Sequence, residues 1–405
     1  MLMTTIVLKP HKEESAKRFH PWIFSGAIAK IQLDKDYPFD TPQEGELVVV
    51  QSHNGDTIGV GHYQIGSIAV RILEFGADRL PEHFWRNRIA AAYAMRQSVG
   101  LIRTDNNTYR LIHGEGDFLP GLIVDVYADT AVVQAHSAGM HLCRQAIAEA
   151  ITEVVKEVKN VYYKSDDTLP YKAPLIGDKV GYLIQATPDT EDSEFWSKEN
   201  GLEFRIDWLR GQKTGFFVDQ RENRALLERY AKGKDVLNMF CYTGGFSVYA
   251  LRGGAKVVHS VDVSEKAIEL VRKNVAHNFP ACTNHEAYAT EAFEYMANIK
   301  DRYDLIILDP PAFAKHRDAI KNALRGYQRL NAKAIEQIRP GGILFTFSCS
   351  QAVDKEMFRL AVFRAAAQVG RKVRILHQLH QPQDHPINIY HPEGEYLKGL
   401  VLQIE

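Results

Sequence analysis

Four aliphatic residues, Leu305-Ile306-Ile307-Leu308, run without a polar break into Asp309-Pro310-Pro311-Ala312-Phe313. A strand with no polar alternation must be covered on both faces, as the central strands of parallel sheets are. Asp235 to Met239, Lys256 to Val261 and Ile343 to Phe347 read as companion strands, and the 303–308 run starts at Tyr303. Between them lie helical patterns. Phe246 to Leu251 ends at Gly253-Gly254, and Ser264 caps a helix with Ile268, Val271 and Val275 on one face. Ala323 to Ile338 is stopped by Pro340-Gly341-Gly342. From about residue 200 the chain alternates strand and helix, which predicts a largely parallel sheet covered on both sides.

The upstream half has a different rhythm. Residues 1–73 carry the strand run Glu46 to Val50, the turn signal Asn54-Gly55, and β patterns at Asp56 to Tyr63 and Ile68 to Leu73. Residues 74–190 mix helices (Pro81 to Val99, with Phe84, Ile89, Ala92 and Met95 on one face, and Leu142 to Val158) with strands at Tyr109 to Ile112, Gly121 to Val126, Thr130 to Val133 and Asn160 to Lys164. Gly114 to Asp117 reads as a turn. The expected organisation is a small β domain over 1–73, a small α/β linking domain over 74–190, and a doubly covered α/β domain over 191–405.

Composition narrows the function. With 405 residues, 45% hydrophobic and 24% charged, the chain can bury several cores and is not a disordered polymer. No apolar run approaches a membrane span, and Met1 to Glu14 lacks the apolar core of a signal peptide. Four cysteines without a C-x-x-C pair suit a reducing cytoplasm. The sixteen histidines form no ligand pattern, so no metal is expected. The net charge of −1 excludes a uniformly basic nucleic-acid coat, and residues 1–73 carry seven Lys/Arg against eight Asp/Glu. A local basic patch remains compatible with both numbers.

Four motifs fall at predicted strand ends. Asn238-Met239-Phe240-Cys241-Tyr242-Thr243-Gly244-Gly245-Phe246 joins a strand to a helix, and its glycine pair lets backbone approach a ligand at a helix N-terminus. It lacks the G-x-G-x-x-G pyrophosphate fingerprint. Asp262 ends the next strand, where a carboxylate can accept ribose hydroxyls. It could also merely precede the Ser264 cap. Together the two point to a nucleoside ligand without a pyrophosphate, S-adenosylmethionine. Asp309-Pro310-Pro311-Ala312-Phe313 has a preset shape because proline fixes φ. It suits a slot for a planar base, with Asp309 facing the polar edge and Phe313 nearby. Cys349 in Ser348-Cys349-Ser350 follows another strand on the same edge, and is a candidate nucleophile or an inert core thiol. Between the last two motifs, Lys315, Arg317, Lys321, Arg325, Arg329 and Lys333 face one acid, Asp318, a local excess suited to RNA phosphates or to a solvated helix face.

These residues, with His20-Pro21-Trp22-Ile23-Phe24-Ser25-Gly26, Lys213 to Arg221, Asp384-His385-Pro386 and Tyr396-Leu397-Lys398-Gly399, give the chain a resemblance along nearly its whole length. It resembles the bacterial ribosomal RNA large-subunit methyltransferase I family, which makes 5-methylcytosine in 23S rRNA. The resemblance implies a PUA domain, a small α/β domain and a class I (Rossmann-like) methyltransferase domain. It implies S-adenosylmethionine contacts at Gln220, Arg221, Asn238, Phe240, Cys241, Tyr242, Thr243, Gly244, Asp262 and Asp309, with Glu291 at the adenine acid's position, where Asp is more usual. It also implies 23S rRNA as partner and a homodimer. Cys241 stands where Ser is common, and Phe118 replaces a frequent glycine.

The mechanism expected from these placements is attack by the Cys349 thiolate on cytosine C6, with Asp309 facing the N3/N4 edge and Pro310, Pro311, Phe313, Lys315 and Arg325 contacting RNA. Two other readings stand beside it. One is methylation of a purine nitrogen, which needs no thiol. The other is a PUA-type RNA-binding protein whose cofactor site is vestigial. A nicotinamide oxidoreductase lacks the pyrophosphate fingerprint.

Overall fold

The computed structural model describes residues 4–170, 175–186, 188, 194–314 and 317–405. The chain divides into two compact units, Met1–Glu194 with Asp207–Val218 and Gln383–Gly394, and Phe195–Ile206 with Asp219–Pro382 and Glu395–Glu405. Among the described residues no helix is long and apolar enough to cross a membrane.

The first unit holds two sheets. Strands β1 (Thr5–Leu8), β2 (Trp22–Phe24), β3 (Ile28–Gln32), β4 (Leu47–Gln51), β5 (Thr57–Tyr63) and β6 (Ile68–Phe75) pair in the order β2-β6-β5-β4-β1-β3, with the short helix α1 (Glu14–Lys17) after β1. Their inward residues Ile6, Leu8, Ile23, Val48, Val50, Val70 and Ile72 close a small core. Gly55, at φ +90°, makes the expected turn between β4 and β5. The second sheet, in the order β11-β10-β9-β8-β7, comprises β7 (Thr108–His113), β8 (Leu122–Tyr127), β9 (Thr130–Ala135), β10 (Asn160–Lys164) and β11 (Val180–Ile184). It is joined by α2 (Phe84–Ser98), α3 (Ala138–Leu142) and α4 (Arg144–Val154). The helix expected over Leu142 to Val158 is thus two helices. Ser137 caps α3 by accepting from the Met140 amide, so the first begins early, and Val155 turns extended to lead into β10.

One buried cation organises this unit. Arg96 on α2 is fully buried and forms a bidentate pair with Asp117. It also donates to the Arg110 and Asp384 carbonyls, both at 2.8 Å. Asp384 Oδ2 in turn accepts the Arg110 amide at 3.0 Å. The 383–394 segment is therefore fixed to the α2–β7 layer by a guanidinium whose fork is fully used. Farther along that segment, the ligand atoms of His20, His391 and Glu393 lie within 4.8 Å of one another. The Trp22 amide donates to His20 Nδ1, so a neutral ring carries its proton on Nε2, the nitrogen 3.6 Å from Glu393. That is a donor facing a carboxylate, not a lone pair offered to an ion. Phe118 adopts φ +58°, a left-handed conformation, which explains in backbone terms why a glycine is frequent there in the resembled family.

The second unit begins with the hairpin β12 (Trp196–Glu199) and β13 (Leu202–Arg205). Glu199 is buried against Arg224 of α5 (Arg221–Tyr230) in a two-pronged pair of 2.8 and 2.6 Å. The main sheet comprises β14 (Asp235–Met239), β15 (Val257–Asp262), β16 (His285–Ala289), β17 (Leu305–Leu308), β18 (Gly342–Ser348), β19 (Val373–His380) and β20 (Lys398–Ile404), in the order β16-β15-β14-β17-β18-β20-β19. Pairings from β16 to β18 are parallel, and β20 is antiparallel to both its neighbours. The parallel part follows the expected alternation; the β19–β20 end was not anticipated. The helices are α6 (Gly245–Arg252), α7 (Glu265–Asn278), α8 (Ala292–Tyr295), α9 (Ile320–Gln337) and α10 (Lys355–Val369). Period-two geometry splits the aliphatic run of β17. Ile306 and Leu308 pack with Leu330 and Ile335 of α9 and Phe358 of α10, whereas Leu305 and Ile307 pack with Leu227 of α5 and Phe246 of α6.

Replacing Arg96 by Met leaves Asp117 buried without its cation and is expected to destabilise the first unit by about 3–5 kcal/mol. Adding Asp117→Leu should recover part of that loss, because the pair is then removed whole. Denaturant titration checks both. A single-variant loss under about 1 kcal/mol contradicts the clamp.

Candidate active site

Parallel topology carries β14, β15, β17 and β18 to the same edge of the sheet, and the four motifs follow these strands. After β14 the chain turns sharply, with Phe240, Tyr242 and Gly244 at φ +57°, +46° and +80°. Two non-glycine residues in the left-handed region within one loop is unusual strain, and such strain clusters at ligand sites. The turn is closed by Asp262, whose Oδ2 accepts the Tyr242 amide at 3.0 Å while Oδ1 accepts the Ser264 amide at 3.0 Å. Each oxygen keeps a further lone pair for a ligand hydroxyl. Asp262 thus shapes the start of α7 and also presents a carboxylate at the sheet edge.

The glycine pair has a packing duty. A Cβ on Gly244 would stand 2.9 Å from Val271 of α7, and one on Gly245 would stand 3.0 Å from the Arg224 side chain. Cys241 is buried, and burial, with Asp262 nearby, pushes its thiol well above the usual range. Its side chain stays a protonated thiol packed in the interior. Thr243 is buried and its carbonyl accepts the Asn274 side chain at 2.8 Å. Asn238 directs its amide nitrogen to Ser247 at 2.9 Å, into a chain continuing through Ser260 to His285. Its Oδ1 is buried with no hydrogen-bond partner. An orphaned acceptor at the end of β14, a left-handed loop and a strand-end carboxylate fit a nucleoside ligand with amino and hydroxyl donors. Glu291 stands exposed at the start of α8, after β16.

Asp309 follows β17, and its Oδ2 accepts Gln220 Nε2 at 3.0 Å. Gln220 is itself held by Asn223 at 2.6 Å. The structure so joins two predicted site residues that are 89 positions apart. Arg221 is 1% exposed at the start of α5. Pro310 is buried and Pro311 exposed, so the loop leaves the sheet within one residue. Phe313 leans on Tyr327 of α9, ring centroids 4.7 Å apart, and packs toward Gly326. Its ring supports the loop from the α9 side. Lys315 lies outside the described residues. Lys321, Arg325 and Arg329 are exposed along α9 at intervals of four, one helical stripe. Lys333 is paired with Glu336 at 3.0 Å.

Cys349 follows β18, half-buried between two fully buried serines. Ser348 donates to the Tyr327 hydroxyl at 2.9 Å, and that hydroxyl bonds Ser350 Oγ at 2.9 Å. Ser350 Oγ also accepts the Ala314 amide at 3.3 Å, linking this loop to the one bearing Asp309. Burial raises the Tyr327 phenol, which keeps it a hydroxyl. From β20, Lys398 donates to the Ser350 carbonyl at 2.6 Å. Just before it, Tyr396 donates to Asp219 at 2.7 Å, beside Gln220. Sequence reasoning missed Tyr327 and Lys398 as site residues. A lysine inside a largely apolar run, Leu397 to Ile404, was the available signal.

Comparison with known proteins agrees with this geometry. Residues 187–391 match the S-adenosylmethionine-dependent methyltransferase family, and residues 6–75 match the PUA-like domain. A chain from Streptococcus mutans, provisionally assigned as a SAM-dependent methyltransferase, shares the fold with a TM-score of 0.80 at 21% identity, covering 98% of this chain and 99% of that one. The protein is an S-adenosylmethionine-dependent methyltransferase with a PUA-like domain. The "Ribosomal RNA large subunit methyltransferase I" of Tolumonas auensis is 38% identical over 99% of this chain and 100% of its own length. The protein of that name from Shewanella frigidimarina is 39% identical over 98% and 99%. The chain belongs to the ribosomal RNA large subunit methyltransferase I family.

Tyr327→Phe removes the hydroxyl shared by Ser348 and Ser350 and leaves buried polar groups short of partners. The expected cost is about 1–3 kcal/mol in a denaturant titration of the second unit. A variant as stable as the parent contradicts the bridging role.

Proposed function

We propose that this chain transfers a methyl group from S-adenosylmethionine to C5 of a cytosine in 23S ribosomal RNA, through a covalent bond between Cys349 and C6 of the base. The observation that carries this reading is a half-buried thiol fixed between two tethered serines, one strand away from a carboxylate held by Gln220. Methylation of a purine nitrogen has no use for such a thiol.

Cytosine C5 is a weak nucleophile until an atom adds at C6. The Cys349 thiolate supplies that atom: a sulfur–C6 bond forms and the C5–C6 π pair becomes available at C5. The cofactor, when bound, would supply an electrophilic methyl group, its sulfonium sulfur keeping the electron pair of the S–CH3 bond that breaks as C5 bonds to the methyl carbon. Asp309 faces the N3/N4 edge and accepts from the exocyclic amine, orienting the base while charge builds. The stiff Pro310-Pro311 turn keeps that carboxylate in place without reorganisation. Once C5 carries the methyl group, its proton leaves, the sulfur–C6 bond breaks, and the thiolate is regenerated. The target base must leave any helix it occupies, at a cost of a few kcal/mol, so looped or incompletely folded RNA is favoured. The Lys321–Arg325–Arg329 stripe and the PUA-like domain supply contacts to the RNA backbone. Gln220, Asn238, the 240–244 loop, Asp262 and Glu291 are assigned to the cofactor, and the segment 74–190 to a linking role.

The test is nucleoside mass spectrometry after incubation with isotopically labelled S-adenosylmethionine and unmodified 23S rRNA. Label is expected in 5-methylcytidine, falling to background in Cys349→Ala. Label in a methylated purine, or full activity of the alanine variant, would sink the covalent cytosine route.

A further inference from the structure

Strand β20 runs between β18 and β19 and is almost wholly buried. A lysine at its start needs substitutes for water around its ammonium. Lys398 is 6% exposed and stands opposite Ser348 in the β18–β20 ladder. Its Nζ donates to the Ser350 carbonyl at 2.6 Å and to the Tyr396 carbonyl at 2.8 Å. Among the described residues no carboxylate forms an ion pair with it. Of the acidic groups whose charge favours the ammonium, the Cys349 thiol acts most strongly, ahead of Glu395 and Asp354, and the Tyr327 hydroxyl bonds the serines on either side of that thiol. The ammonium is thus anchored on the residue that follows Cys349, with the thiol foremost among the groups that favour its charge.

Resting on the assignment of Cys349 as nucleophile, we infer that Lys398 is a positioning residue whose ammonium holds the 348–350 loop by the Ser350 carbonyl and stabilises the Cys349 sulfur as thiolate. The thiol releases its proton to solvent and the lysine keeps its own, so the pair gains no net proton. Burial lowers the Lys398 pKa to about 8. The cation therefore predominates at neutral pH, is half lost near pH 8 and is gone well above it, the favourable effect of the thiol being already part of that value. The stabilisation acts in the neutral range, where an ordinary thiol with a pKa of about 8.5 is mostly protonated. Glu395 and Asp354 carry the same sign of charge as a thiolate and Tyr327 stays a neutral hydroxyl, which makes the ammonium the favourable charged neighbour among these groups.

The pH dependence of alkylation by iodoacetamide, followed by mass spectrometry on the peptide bearing Cys349, tests this with the full-length protein. The unaltered chain is expected to show a midpoint about one unit or more below the ~8.5 of a free thiol. Lys398→Met is expected to raise that midpoint by about one unit or more, and Lys398→Arg to keep it low. A midpoint at or above 8.5 in the unaltered chain overturns the inference, as does an unchanged midpoint in the Met variant. If the Met variant does not fold, the unaltered chain decides alone. Alkylation needs neither RNA nor cofactor, so it separates this inference from the cytosine reading. A low midpoint together with full methylation by Cys349→Ala would sink that reading while leaving the ammonium–thiolate pairing in place.

Discussion

The Tyr327 hydroxyl, bonded to serines on both sides of Cys349, is the interaction on which the site depends. Because Ser350 also accepts the Ala314 amide, the cysteine loop is tied to the Asp309 loop. Lys398 adds a second anchor through the Ser350 carbonyl, and Tyr396 extends the same strand's reach to Asp219 beside Gln220, which holds Asp309. Hydrogen bonds, joined by short stretches of chain, therefore link the loop bearing Asp309 to the loop bearing Cys349 through α9, β20 and the turn before α5. Such a linkage fixes the two loops relative to one another, the condition under which the proposed roles of Asp309 and Cys349 can operate by positioning.

The linkage works only because the sheet beneath it is rigid. The unbroken aliphatic run of β17 buries alternate residues in two separate cores, one with α9 and α10 and one with α5 and α6. Any tilt of β17 would disturb both. The loops at the carboxyl edge inherit this fixity, and the strained turn at Phe240 and Tyr242 is sustained by it.

Much of this was legible in the residues. Unalternating runs such as Leu305 to Leu308 demand two covered faces, and turn and cap chemistry at Gly55 and Ser264 is local, so both survive into the structure. Strand-end motifs were found because parallel topology converts sequence order into one edge. What escaped depends on pairings distant in sequence. The β19–β20 hairpin packs residues after 370 against β18, and Lys398 and Tyr327 gain their meaning only when β20 and α9 meet the 348–350 loop. Arg96 likewise resembles an ordinary helix arginine until Asp117 and Asp384 are brought to it. Phe313, expected near the site, also gains a packing contact on Tyr327 that its place in the sequence does not show.

The most direct measurement of the central claim uses RNA in which the cytosines carry fluorine at C5. Loss of a C5 proton is then impossible, so a sulfur–C6 adduct cannot resolve after methyl transfer. With S-adenosylmethionine present, the account predicts a denaturation-resistant protein–RNA complex, with peptide mapping placing the link on Cys349 and none forming in Cys349→Ala. A link at another residue, or no link from protein that methylates ordinary cytosine in the same RNA, would contradict it.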